Sequence, residues 1–190
     1  KNTKENIYYS PLSKWDGTSE ELTLLEENHY TISTSAQFAY FANQVNSGVS
    51  YEGCTITLTS SVEINSDFVN IGDADNSFKG IFDGNNNSIR GISKKSTATR
   101  TALFYELTNG TIKNLSTYGS VEAGQYGSVL VGRNMGGTID NVTNYATLSH
   151  STGNGAGAIA GGLNNGGTIT NCVNYGNVTG SASNNKTAGI

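Results

Sequence analysis

The sequence predicts an all-β chain wound as a parallel β-helix, with about three short strands per coil and a repeat of 27–30 residues. Three observations carry this. "NGTIKNL" at 109–115 returns as "GGTIDNV" at 136–142 and "GGTITNC" at 166–172, so Ile112 to Ile139 spans 27 residues and Ile139 to Ile169 spans 30. Two further columns keep the same step: "YGSVE" from 118, "YATLS" from 145 and "YGNVT" from 175, then "SVLVG" from 128, "GAIAG" from 157 and "AGI" from 188. Each apolar core is short, β-rich and closed by Gly or Asn, which leaves no room for the roughly 10–15-residue helices of a helical repeat.

Stacked coils pair strand over strand at about 4.8 Å, so every column becomes a ladder of like side chains along the axis. The expected inward ladders are Ile89, Ile112, Ile139 and Ile169; Ile92, Leu115, Val142 and Cys172; Val121, Leu148 and Val178; and Leu103, Leu130, Ile159 and Ile190. Ile112 and Leu115 are three residues apart, a spacing that a straight strand would send to opposite faces, so the chain has to bend between them. Asn114, Asn141 and Asn171 sit at that bend, where asparagine tolerates left-handed backbone and its amide can bond the same amide one coil away. Gly110, Gly137 and Gly167 precede each copy and are expected at tight corners with positive φ. Outward, Thr111, Thr138 and Thr168 form a file read as β propensity, and Tyr118, Tyr145 and Tyr175 recur once per coil.

Upstream the repeat fades. Residues 1–33 read as an N-terminal extension with a lead-in strand, 34–48 as a capping helix and 49–190 as the β-helix, all in one domain. In "TSAQFAYFANQVNSG", Thr34 or Ser35 can cap the helix start, Phe38, Phe41, Ala42 and Val45 share one face, and Gly48 can end it. A solenoid has to cover its first coil, and an amphipathic helix across the open end does so. "CTITLTSSVEI" from 54 alternates as a half-buried strand does, turning Cys54 into the first coil. Cys172 belongs to a late coil, roughly three or four rungs away, beyond the reach of a disulfide. Both cysteines are expected to be free and buried. Ile190 stands where another strand would begin, so the expectation is a chain that continues into further C-terminal domains, or an end masked by a partner or by end-to-end self-association.

"TISTSAQFAYFANQVNSG" at 31–48, then "FKGIFDGNNNSIRGI" at 78–92, then the repeated GTIxN and the "VLVG" or "AIAG" cores together resemble the GLUG-motif family of bacterial surface proteins. The resemblance covers nearly everything from about residue 30 onward. The family's "DGNGH" reads "DGNNN" at 83–87 here, and its "GLVG" core reads "AIAG" at 158–161. The resemblance implies a right-handed parallel β-helix on secreted or cell-wall proteins, often adhesin-like and in some members joined to immunoglobulin-cleaving metallopeptidases. It implies no catalytic residues.

Composition bounds the function. A formal charge of -4 and a pI near 5.1 provide no clustered basic surface for nucleic acid or an anionic membrane. Only 14% of residues are charged, so Asn, Thr and Ser carry the surface polarity, a pattern common in extracellular β proteins. No apolar run approaches the roughly 20 residues of a membrane helix, so membrane insertion is not expected. The opening "KNTKENIYYSPLSKW" lacks a signal peptide's apolar segment, so an exported protein would already have lost its leader. Neither a C-x-x-C nor a Cys/His cluster suggests zinc, H-E-x-x-H does not occur, and His29 and His150 read as ordinary loop or surface residues. "GNGAGAIAGG" at 153–162 lacks the strand, helix and distal acid of a dinucleotide site. Asp73, Asp75 and Asn76 have the spacing of a calcium loop without its glycine and distal glutamate; a solvated turn is the favoured reading, and calcium binding there stays open. Asp83 in "FDGN" reads as a turn cap.

A polysaccharide lyase built on a parallel β-helix would need converging carboxylates for calcium and a Lys or Arg base. The outward positions Thr111, Lys113, Thr138, Asp140, Thr168 and Thr170 offer one Lys beside one Asp. The expectation is therefore a non-catalytic, adhesin-like module without a cofactor, secreted or on the cell surface. It would bind carbohydrate or a host extracellular surface, with Tyr118, Tyr145 and Tyr175 as a candidate sugar-stacking groove. A rigid stalk or spacer of a larger surface protein is the alternative, and a lyase-like enzyme the minor one.

Overall fold

The computed structural model describes residues 12–180 and 186–190. The first 11 residues of the expected N-terminal extension lie outside the described residues, as do residues 181–185. The chain winds into a β-solenoid of about six turns. Strand Thr23–Glu26 pairs antiparallel with His29–Ile32 at the start, and every later ladder between strands is parallel. The main sheet runs His29–Ile32, Thr55–Leu58, Ile81–Asp83, Thr111–Ala123, Thr138–Asn144 and Thr168–Thr170. Two three-stranded sheets close the other wall: Phe104–Thr108, Val131–Met135 and Leu163–Asn164, then Gly127–Ser128, Ala156–Gly157 and Thr187–Ala188.

The ladders follow the repeat in its later copies. Ile112 lies opposite Ile139 and Ile139 opposite Ile169, Leu115 opposite Val142, and Val121, Leu148 and Val178 form one line. Phe104 pairs with Val131 and Val131 with Ala160, which aligns Leu103, Leu130 and Ile159, all buried. Ile190 ends that column half exposed. Two expected members sit elsewhere. The residue above Ile112 is Phe82, not Ile89, and Ile92 lies opposite Gly119, not Leu115. Asn85 and Asn86, both with positive φ, form a two-residue excursion at this corner. The offset to the next coil is accordingly 30 residues before it (Phe82 to Ile112) and 28 after it (Ser88 to Ser116).

The bend at the asparagines is as the three-residue spacing requires: Asn114, Asn141 and Asn171 have φ of 53°, 51° and 52°. The glycines differ from expectation. Positive φ falls one residue earlier, at Asn109, Gly136 and Gly166, whereas Gly110, Gly137 and Gly167 are selected by space. A Cβ on Gly110 would lie 2.7 Å from the Gly80 carbonyl oxygen, and one on Gly137 would lie 2.8 Å from Asn134 Oδ1.

Helix Ser35–Asn46 lies over the start of the core. Thr34 caps it by accepting from the Gln37 backbone N–H, and its buried face carries Phe38, Phe41, Ala42 and Val45 together with Gln37. All six phenylalanines gather here: Phe38 stacks on Phe68, and Phe41 packs on Phe78, Phe82 and Phe104. Cys54 and Cys172 are free, but each is only half buried: Cys54 lies at the corner just ahead of strand Thr55–Leu58, and Cys172 in a late coil whose apolar residues are only partly covered. His150 is the other departure. It is buried, not a surface residue, with Nε2 at 2.9 Å from the Thr152 carbonyl, because the alternation of strand Thr147–His150 turns Leu148 and His150 inward together. His29 is half buried against Thr57 Oγ1.

Candidate functional site

Thr117, Asn144 and Asn174 point inward, so the next residue in each coil, Tyr118, Tyr145 and Tyr175, points out. Parallel register places these tyrosines one above another, and the rings stack at 4.8 Å with 9° between planes and at 5.3 Å with 19°. Arg90, from the coil before, closes the upper end with its guanidinium carbon 4.9 Å from the Tyr118 centroid. Exposure rises along the file, from half-buried Tyr118 to 44% at Tyr145 and 67% at Tyr175. The inner ring faces are thus occupied by one another. Toward solvent the column presents ring edges and phenol groups, and at Tyr175 an outer face. Arg90 went unread in the sequence because it lies in the shifted coil, outside the repeat.

Behind this column runs a buried polar ladder. Thr117 Oγ1 donates to Asn144 Oδ1 at 2.7 Å, and Asn144 Nδ2 donates to Asn174 Oδ1 at 2.8 Å and to the Ala146 carbonyl at 2.8 Å. The signal was present in the sequence as "TNYA" and "VNYG". The expected ladder at the bend is half realised. Asn141 Nδ2 donates to Asn114 Oδ1 at 2.9 Å, but Asn171 Nδ2 turns to Asp140 Oδ1 at 2.8 Å, a charged acceptor that outcompetes the neutral amide. The Thr170 hydroxyl and Asn171 amide on that carboxylate hold Asp140 below the ordinary carboxylate range.

The remaining carboxylates serve turns and pairs. Burial pushes Asp83 upward, but the Asn114 amide, the Asn85 backbone N–H and the Lys113 charge outweigh it and hold its pKa below the ordinary value. Lys113 lies in register between Asp83 and Asp140 and pairs with Asp83 at 3.3 Å. Asp73 accepts from the Asp75 and Asn76 backbone N–H groups and the Asn76 amide, which makes it a turn cap. Glu106 takes Arg100 at 3.1 Å and Arg133 at 2.6 Å on one oxygen. Among the described residues no three His, Cys, Asp or Glu side chains come together, and no helix there is long and apolar enough to cross a membrane.

Among the described lysines one is placed unlike the rest. Lys94 lies opposite Val121, in the same inward column as Leu148 and Val178. Its Nζ donates to the Phe68 carbonyl at 2.9 Å, and burial pushes its pKa down to about 8. Alternation from Ile92 marks position 94 as inward, and that was the available signal in the sequence. Comparison with family models, with curated proteins and with solved structures returns no match.

Proposed function

We propose that this chain is a non-catalytic, adhesin-like binding module of a secreted or cell-surface protein, and that it engages a glycan or another host extracellular surface through the tyrosine column. The observation that carries this reading is the continuous aromatic file Tyr118, Tyr145 and Tyr175 on an otherwise polar wall, more exposed at each rung. Stacking rigidifies the three rings, so little side-chain freedom is left to lose on binding. A repeating polymer laid along the axis would meet a phenol group and a ring edge at each coil, with the outer face of Tyr175 available to a sugar ring. The resemblance to GLUG-motif surface proteins supports the same reading.

The second reading is a rigid stalk, favoured by the mutual occupation of the ring faces. A glycan and extracellular-matrix array separates the two. Binding by the native chain that disappears when Tyr118, Tyr145 and Tyr175 are all changed to Ala, with the circular dichroism spectrum retained, is the result expected. A blank array would leave the stalk.

A further inference from the structure

The segment 65–70 crosses beside the second half of strand Ser88–Ser96 and leaves an open cleft of about 450 Å³. That volume lies within the usual range of a small-molecule site. Among the described residues its lining is one-sided in charge: Lys94 and Lys95 with Ser66, Asn70, Ser93, Thr99 and Tyr105 among others, and no carboxylate. Lys95 is already matched by Glu122 at 2.9 Å. Among the described residues Lys94 has no acidic partner, only the Phe68 carbonyl. Asn70, half buried, and Ser93 and Thr99, both exposed, turn polar side chains to the cleft with no hydrogen bond to another described residue. A partly desolvated ammonium in an apolar ladder slot costs stability that Val, Leu or Ile there would not. Its position at a cleft with disengaged amide and hydroxyl groups points to a ligand.

We propose that this cleft binds one carboxylated sugar residue, a hexuronate or sialate unit, with the carboxylate on the Lys94 ammonium and the sugar hydroxyls on Asn70, Ser93 and Thr99. One unmatched cation suits a monoanion better than a doubly charged phosphate. Polar side chains around it suit a polyol better than a bare anion. The inference deepens the reading of the chain as a glycan-binding module, but it uses residues separate from the tyrosine column. The titratable groups around Lys94 are Lys95 and Tyr105 in the cleft lining, Glu122 on the neighbouring strand and Asp67 in the crossing segment. Of these Lys95 and Glu122 pair with each other and Asp67 is held in the turn at Asn65 without an ion pair to Lys94, and a carboxylate ligand requires Lys94 in its ammonium form. Affinity should fall as pH rises through about 8.

The test is NMR of the full chain with ¹³C-labelled lysine, the Lys94 signal being identified by its loss in Lys94→Met. Glucuronate and N-acetylneuraminate are titrated at pH 6.5 and 9.5, alongside acetate and methyl glucoside. The expected result is a saturable Lys94 shift with an acidic sugar at pH 6.5, at least tenfold weaker with acetate, absent with methyl glucoside, and reduced severalfold at pH 9.5. Ligand-observed saturation transfer should show binding at least tenfold weaker in Lys94→Met and weaker in Thr99→Ala. An unmoved Lys94 signal, equal binding of acetate, or full binding by Lys94→Met would overturn the proposal. The triple tyrosine variant should keep the Lys94 shift. Loss there with the fold intact would move the sugar to the column and overturn it too, whereas a blank array with the shift retained would sink the column and leave the cleft.

Discussion

At the scale of single residues, the polar groups inside the solenoid carry larger consequences than those at its surface. Asn144 is 1% exposed and holds Thr117, Asn174 and the turn at Ala146 at once. Asn144→Ala leaves several of these partners unsatisfied in the core and is expected to cost about 1–3 kcal/mol by urea denaturation. Asn141→Ala, exposed and losing one amide bond, should cost under about 1 kcal/mol. Lys94 offers a test with a sign. Its folded pKa, about 8, lies below the ordinary 10.5, so between these values the unfolded chain binds more protons than the folded one. Stability should therefore climb with pH across that window, having borne the full burial cost below it. Lys94→Met should flatten the climb and raise stability at pH 7 by roughly 1–3 kcal/mol. An identical pH profile in both proteins would mean that the amine is well solvated.

At the scale of elements, the helix and the corner show what patterning can and cannot reveal. The helix was legible because its start signal, its 3.6-residue apolar face and its terminal glycine agree, and the structure places it at Ser35–Asn46 with Thr34 as cap. The ladders were legible wherever the repeat was intact, from Ile112 to Ile169. They failed at Ile89 and Ile92 because "IFDGNNN" carries the corner that "TIKN" carries later. Only the backbone shows that Asn85 and Asn86 are extra, and that Asp83 stands in the place of Lys113. The tyrosine column was visible as a period, while its stacking on Arg90 depended on the shifted coil. Two element-scale outcomes follow. Phe41→Ala empties the centre of the aromatic cluster and should cost about 3–5 kcal/mol in denaturant unfolding. Asp83, whose folded pKa is lowered, stabilises the corner above the ordinary carboxylate value of 3.8 and ceases to do so as pH falls through its folded value. Asp83→Asn should be less stable than the native chain at pH 7, with the gap closing on acidification.

At the scale of the molecule, a solenoid in which each coil touches only its neighbours has a stability that varies along its axis. The helix end is the dense end: six buried phenylalanines, with Ile56, Phe82, Ile112 and Ile139 fully enclosed above one another. In the coil of residues 163–180, Ile169 and Val178 are only partly buried, and Leu163, Val173 and Tyr175 are exposed. The same substitution should therefore have different consequences at different rungs. Ile139→Ala, at 0% exposure between two covering coils, should cost about 2–5 kcal/mol. Ile169→Ala, one rung further along the same ladder, should cost about 1 kcal/mol, because less of its surface leaves water on folding. Hydrogen exchange followed by mass spectrometry should show high protection from the helix through residue 148, falling through 163–180 in the native chain. Ile139→Ala should lower protection in the coils on both sides of it, while Ile169→Ala should leave 104–148 unchanged. Equal protection along the axis, or equal cost at both isoleucines, would show that the chain unfolds as a single unit and that the neighbour-by-neighbour account of its stability is wrong.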